Sequence, residues 1–140
     1  MTAREYLEQA YHLDQRVKSM VEQIDGLRNL AEIMHGAAGG DVVAHSRNLA
    51  ANENAIIRLV EAEDELNERI NELVKLKLEI QSVIDKVDDD DERLILVKRY
   101  LCYSSWGKIA SEFRRTRRWA LYKHRDALQK VDRILGEVIA

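Results

Sequence analysis

The sequence predicts an all-α protein: a long antiparallel helical hairpin, or coiled coil, over residues 1–87, then a compact three-helix domain over residues 92–140. Three observations carry that expectation. The 140 residues contain no proline and six glycines, so almost nothing in the chain interrupts a helix. Apolar residues recur at alternating spacings of three and four through most of the first 87 positions. After Asp91 that long pattern gives way to three shorter segments with their own capping residues.

The first helix follows from Tyr6, Ala10, Leu13, Val17, Met20, Ile24, Leu27, Ala31 and Met34, all on one coiled-coil seam. A break is expected at "HGAAGGDVVAHSRN", where Gly36, Gly39 and Gly40 make continued helix costly and Ser46 or Asn48 would cap the restart. The second helix places Ile56, Leu59, Leu66, Ile70, Leu73, Ile80, Ile84 and Val87 on its seam, with Glu63 and Lys77 filling two polar positions that fix register. A short glycine-containing connection favours an antiparallel hairpin. Apolar residues off the seams, among them Tyr11, Val21, Leu30, Val60, Val74 and Leu76, want a further surface, which implies a homo-oligomer, a dimer above all, or packing against the C-terminal domain.

Charge divides the chain in the same place. Residues 1–92 hold 10 Lys and Arg against 21 Asp and Glu, whereas residues 93–130 hold 11 against 2, although the whole chain has a formal charge of −3. A compact basic part inside an acidic protein points to a polyanionic partner. Between the parts, Asp88 to Asp91 lack the alternating ligands and central glycine of a calcium loop, and read as a solvated break before a helix near Glu92.

Within the basic part, "ERLILVKRYLCY" offers Leu94, Ile95, Val97, Leu101 and Cys102 to a core, with Arg93, Lys98 and Arg99 outside. The single cysteine, Cys102, reads as a small buried apolar residue. Ser104 or Ser105 caps the next segment, which turns Trp106, Ile109, Ala110 and Phe113 to one face; Thr116 caps the third. A short helix, a tight polar turn at Arg114 and Arg115, and a capped third helix with cations at its start describe a helix-turn-helix.

Turning the third helix by about 100° per residue separates its faces. Ala120, His124, Ala127, Leu128, Val131 and Leu135 form the core side, while Arg118, Tyr122, Arg125 and Gln129 lie opposite. On double-stranded DNA, Arg118, Tyr122 and Arg125 are the candidate base readers, because the outward face near the helix start is the one a major groove meets. Lys108, Arg114, Arg115, Arg117 and Lys123 are candidates for phosphate contacts, which supply affinity and register. Trp119 suits either a sugar-phosphate contact or a cover over the preceding helix.

Other classes find little support. No histidine pair has metal-ligand spacing, and no phosphate loop, nucleophile elbow or paired-carboxylate arrangement is present, so neither catalysis nor a cofactor or metal is expected. No run of eighteen apolar residues exists, and "MTAREYLEQAYHLDQR" lacks the apolar core of a secretory signal. The expectation is a cytoplasmic protein without a membrane partner.

The segment "LVKRYLCYSSWGKIASEFRRTRRWALYKHRDALQKV" resembles the C-terminal helix-turn-helix of the ArpU/RinA-like phage and prophage transcription regulators, itself similar to region 4 of sigma-70 factors. The elements that carry the resemblance are "RYL" at Arg99–Leu101, "SWGKIA" at Ser105–Ala110, "RRW" at Arg117–Trp119, and His124, Ala127 and Leu128. "MTAREYLEQAYHLDQRVKSMVEQIDGLRNLA" also looks like the start of this group, so the resemblance covers nearly the whole chain. Two positions depart from the pattern: a small residue or glycine is usual near Arg114 or Arg115, and an apolar one at Lys123. The resemblance implies a sequence-specific DNA-binding transcriptional regulator of phage genes. Two alternatives stand beside it: a DNA-packaging recognition subunit of the small-terminase kind, and a sigma-like adaptor that binds RNA polymerase rather than DNA.

Overall fold

The computed structural model describes the backbone at residues 1–36 and 42–139, and side chains at 1–33 and 53–137. The described residues form α1 (Ala3–Gly36), α2 (Val42–Ile84), α3 (Asp90–Leu96), α4 (Trp106–Phe113) and α5 (Arg117–Ile139); a π-helical turn, Val97–Leu101, extends α3. The fold is all-α, with no strand among the described residues. None of these helices is long and apolar enough to cross a membrane.

Helix α2 begins earlier than the sequence suggests. Ser46 and Asn48 lie inside α2, which starts at Val42, so neither caps it. Gly39 and Gly40, and the side chain of Met34, fall outside the described residues.

The chain divides into two compact units, one of residues 1–14 with 73–140, the other of residues 15–72. This differs from a division at residue 87, for a physical reason. Three short helices cannot enclose a core alone, and the first turns of α1 and the last turns of α2 complete it. In that unit Leu7, Ile80, Ile84, Leu96 and Val131 are fully buried in one cluster, joined by Ala3, Ala10, Tyr100 and Ala127. Asp132 accepts the Ala3 N–H at 2.8 Å, and the Tyr103 hydroxyl donates to the Ala10 carbonyl at 3.2 Å.

The unit of residues 15–72 pairs α1 with α2 along one seam. Ile24 is buried, Val17, Met20 and Leu27 are half-buried, and Arg28 reaches Glu63 at 2.6 Å. Early α1 thus packs with late α2, and later α1 with earlier α2, the order of an antiparallel hairpin. The α2 seam departs from its expected line at two places: Ile56 and Ile70 are exposed, and Ala55 and Arg69 turn further inward. An α-helix of 3.6 residues per turn drifts about 20° per heptad from a strict seven-residue repeat, which moves the buried line by one residue.

In α3, Asp89 is the N-cap, its carboxylate accepting the Glu92 N–H at 2.9 Å. Leu94 and Cys102, both expected in the core, are exposed, while Leu96 and Tyr100 are buried. Leu94 lies before the π turn, in regular helix, about 200° around from the buried Leu96. Past it the π turn changes the phase: the Cys102 N–H bonds to the Val97 carbonyl five residues back at 3.0 Å, so counting at 3.6 residues per turn puts Cys102 inside when it is not.

Candidate nucleic-acid interface

Local chemistry builds the α4–turn–α5 motif from each end. Ser105 caps α4 by accepting the Lys108 N–H at 3.2 Å, and Thr116 holds the start of α5 by accepting the Trp119 N–H at 3.1 Å. Between them Arg114 adopts a left-handed conformation, φ 56°, where glycine is the usual residue. Arg114 N–H bonds to the Ser111 carbonyl and Arg115 N–H to the Ala110 carbonyl, both at 3.0 Å, which closes α4 in a Schellman motif. The missing glycine is therefore replaced by an arginine that carries its strain.

A second core cluster locks the motif. Ile95, Ile109, Ala110 and Ala120 are buried together, the two alanines allowing α4 and α5 to approach closely. Trp119 packs against Phe113 with ring centroids 5.2 Å apart, so its ring covers α4. Under α5, His124 is buried and shares a 2.5 Å hydrogen bond with Tyr100, while Trp106 meets the imidazole edge-on at 4.6 Å. Burial first, then the nearby charges of Arg4 and Arg99, push the His124 pKa down to about 4. The imidazole is neutral at pH 7, as a packed core histidine should be.

The outward face of α5 is as the sequence predicts. Arg118, Tyr122, Arg125 and Gln129 are all exposed. Both guanidinium groups lie against the same ring: Arg118 at 5.9 Å and Arg125 at 5.0 Å from the Tyr122 centroid. Such cation–π contacts hold flexible side chains in fewer conformations while leaving their N–H donors outward. Arg125 also lies 3.6 Å from Asp126, an exposed pair that binds it weakly.

Lys108, Arg114, Arg115 and Arg117 are exposed around this row, with Arg115 resting 5.3 Å from the Trp119 ring. Lys123 differs. It is half-buried and 3.6 Å from Asp89, so its charge is engaged at the start of α3. Lys130 is fixed more firmly, at 2.8 Å from Asp88 and 2.7 Å from the buried Glu92, and these partners raise its pKa. The acidic run thus caps α3 and anchors α5, roles hidden in the sequence because their partners lie 34 and more residues away. Arg99, stacked 4.8 Å over Trp106, is another feature that spacing alone did not signal.

Among the described residues no cluster of histidine, cysteine or acidic side chains has the arrangement of a metal site. Residues 45–132 match the model of a protein family described as a protein of unknown function, DUF1492. The chain belongs to the DUF1492 family. DUF1492 is phage-associated. Neither a curated protein nor a solved structure is detectably similar to the chain. The DUF1492 match takes in every candidate DNA-contacting residue, Lys108 to Arg125, and stops short of Ala3, Leu7 and Ala10, which complete the core beneath them.

Proposed function

We propose that this DUF1492 protein is a sequence-specific, double-stranded-DNA-binding transcriptional regulator of phage or prophage genes, working through a helix-turn-helix of the sigma-70 region 4 kind. The observation that carries the reading is the row Arg118, Tyr122 and Arg125 on the outward face of α5, with both guanidinium groups stacked on one ring. A guanidinium held in this way offers the paired donors that guanine O6 and N7 accept. Lys108, Arg114, Arg115 and Arg117, exposed around the row, supply phosphate contacts. A homodimer formed through the N-terminal hairpin would present two such rows to a repeated half-site. No cofactor enters the mechanism.

The test is fluorescence anisotropy on duplex DNA selected from random sequence, repeated across salt concentrations. A motif should be enriched, and Arg118→Ala/Arg125→Ala should lose the preference while each arginine accounts for about 1–3 kcal/mol at its base pair. Absence of binding at low salt would overturn DNA recognition and favour the RNA polymerase adaptor. Ring-sized assemblies of many chains would favour the packaging role.

A further inference from the structure

Helix α2 carries a second apolar stripe beside the line that it buries against α1. Ile56 is 47 % exposed, Val60 50 %, Ile70 37 % and Val74 51 %. At about 100° per residue these four lie together, roughly 90° around the helix from the line through Leu59, Leu66, Leu73 and Ile80. Half-exposed β-branched residues in a row of this length mark an interaction surface.

In heptad terms the stripe has two rows. Glu53, Val60, Asn67 and Val74 occupy one, and Ile56, Glu63, Ile70 and Lys77 the other. The order of residue types along these rows identifies what covers them. Paired in parallel with its own copy, each residue would meet itself, which sets Glu63 on Glu63, Glu53 on Glu53 and Lys77 on Lys77. Like charges directly opposed are destabilising. An antiparallel pair instead places one row against the other. Centred on residue 65, it sets Val60 against Ile70 of the second copy, Ile56 against Val74, Glu63 against Asn67 and Glu53 against Lys77. Every apolar residue then meets an apolar one, and every polar residue meets a complement. Glu63 already accepts from Arg28 within its own chain, and a carboxylate retains lone pairs for the amide of Asn67. Lys77 lies 5.1 Å over the Tyr103 ring of its own chain, a contact that leaves its N–H donors for Glu53.

We infer that α2 is the dimerisation helix, and that two copies pair antiparallel in this register with Glu63 and Asn67 as the polar layers that fix it. The inference deepens the dimer of the proposed function and rests on that reading for the dimer, not for the DNA. It is measured without DNA, so either can fail alone.

Sedimentation equilibrium of the full chain decides it. The wild type should dimerise in the micromolar range. Val60→Lys and Ile70→Glu, each on an exposed position and each checked for unchanged helical circular dichroism, should weaken self-association by roughly 100-fold, because each buries an unpaired charge. Mixing the two variants should restore a heterodimer, since the introduced lysine at position 60 then faces the introduced glutamate at position 70. The inference is overturned by a wild type that stays monomeric across the micromolar range, by single variants that dimerise as the wild type does, or by a mixture that remains monomeric, which is what a parallel pairing would give.

Discussion

At Arg114 one residue serves two ends that pull against each other. Its left-handed backbone costs about 1 kcal/mol relative to glycine, and its side chain is exposed beside the candidate DNA surface. Arg114→Gly is therefore expected to raise the thermal midpoint slightly, seen by circular dichroism, while lowering affinity for all DNA sequences alike and reducing the salt slope by about one unit. His124 gives a second prediction at this scale. Its pKa falls from 6.5 to about 4 on folding, so the unfolded chain binds a proton that the folded chain refuses. The stability it contributes is full above pH 6.5 and is lost as pH falls toward 4. His124→Gln, which keeps an acceptor for Tyr100, should flatten this acid loss in melts taken between those values. The inward setting of His124 and the capping of Ser105 and Thr116 were legible because each depends on residues within one or two turns. The engagement of Lys123 and Lys130 was not, because Asp88, Asp89 and Glu92 reach them only through the tertiary fold.

Among the elements, α5 depends on its first turn. Thr116→Ala removes the acceptor for the Trp119 N–H and should cost about 1 kcal/mol. Because that turn carries Arg117 and Arg118, DNA affinity should fall with it, and Thr116→Ser should rescue both in paired melting and anisotropy measurements. The long helices were readable because a three-four repeat sustained over many turns has one structural meaning. Where the repeat was extrapolated it failed by a residue, as at Ile56 and Ile70, since a straight helix rotates its faces away from a seven-residue count. At Cys102 the failure has another source. A π turn changes the period itself, and nothing in "VKRYL" announces it.

The whole molecule shows why a division at residue 87 was natural and why the packing departs from it. Charge and periodicity both change there, but burial does not. Leu7 lies in one cluster with Leu96 and Val131, so Leu7→Ala should destabilise the helix-turn-helix unit by about 2–5 kcal/mol, although the substitution lies more than a hundred residues from α5. A fragment of residues 92–140 should show no cooperative melt, whereas one that also retains residues 1–14 and 73–91 in a single linked chain should melt cooperatively. The order in which a ribosome delivers these parts then acquires meaning. Ala3, Leu7 and Ala10 leave the exit tunnel more than a hundred residues ahead of Ala127 and Val131, with which they share a core. Until α5 emerges, the first turns of α1 have only α2 and α3 to cover the face that Ala127 and Val131 complete, and the candidate DNA surface does not yet exist. A message cut short before α5 would yield a product that lacks the row Arg118, Tyr122 and Arg125 and the core beneath it together.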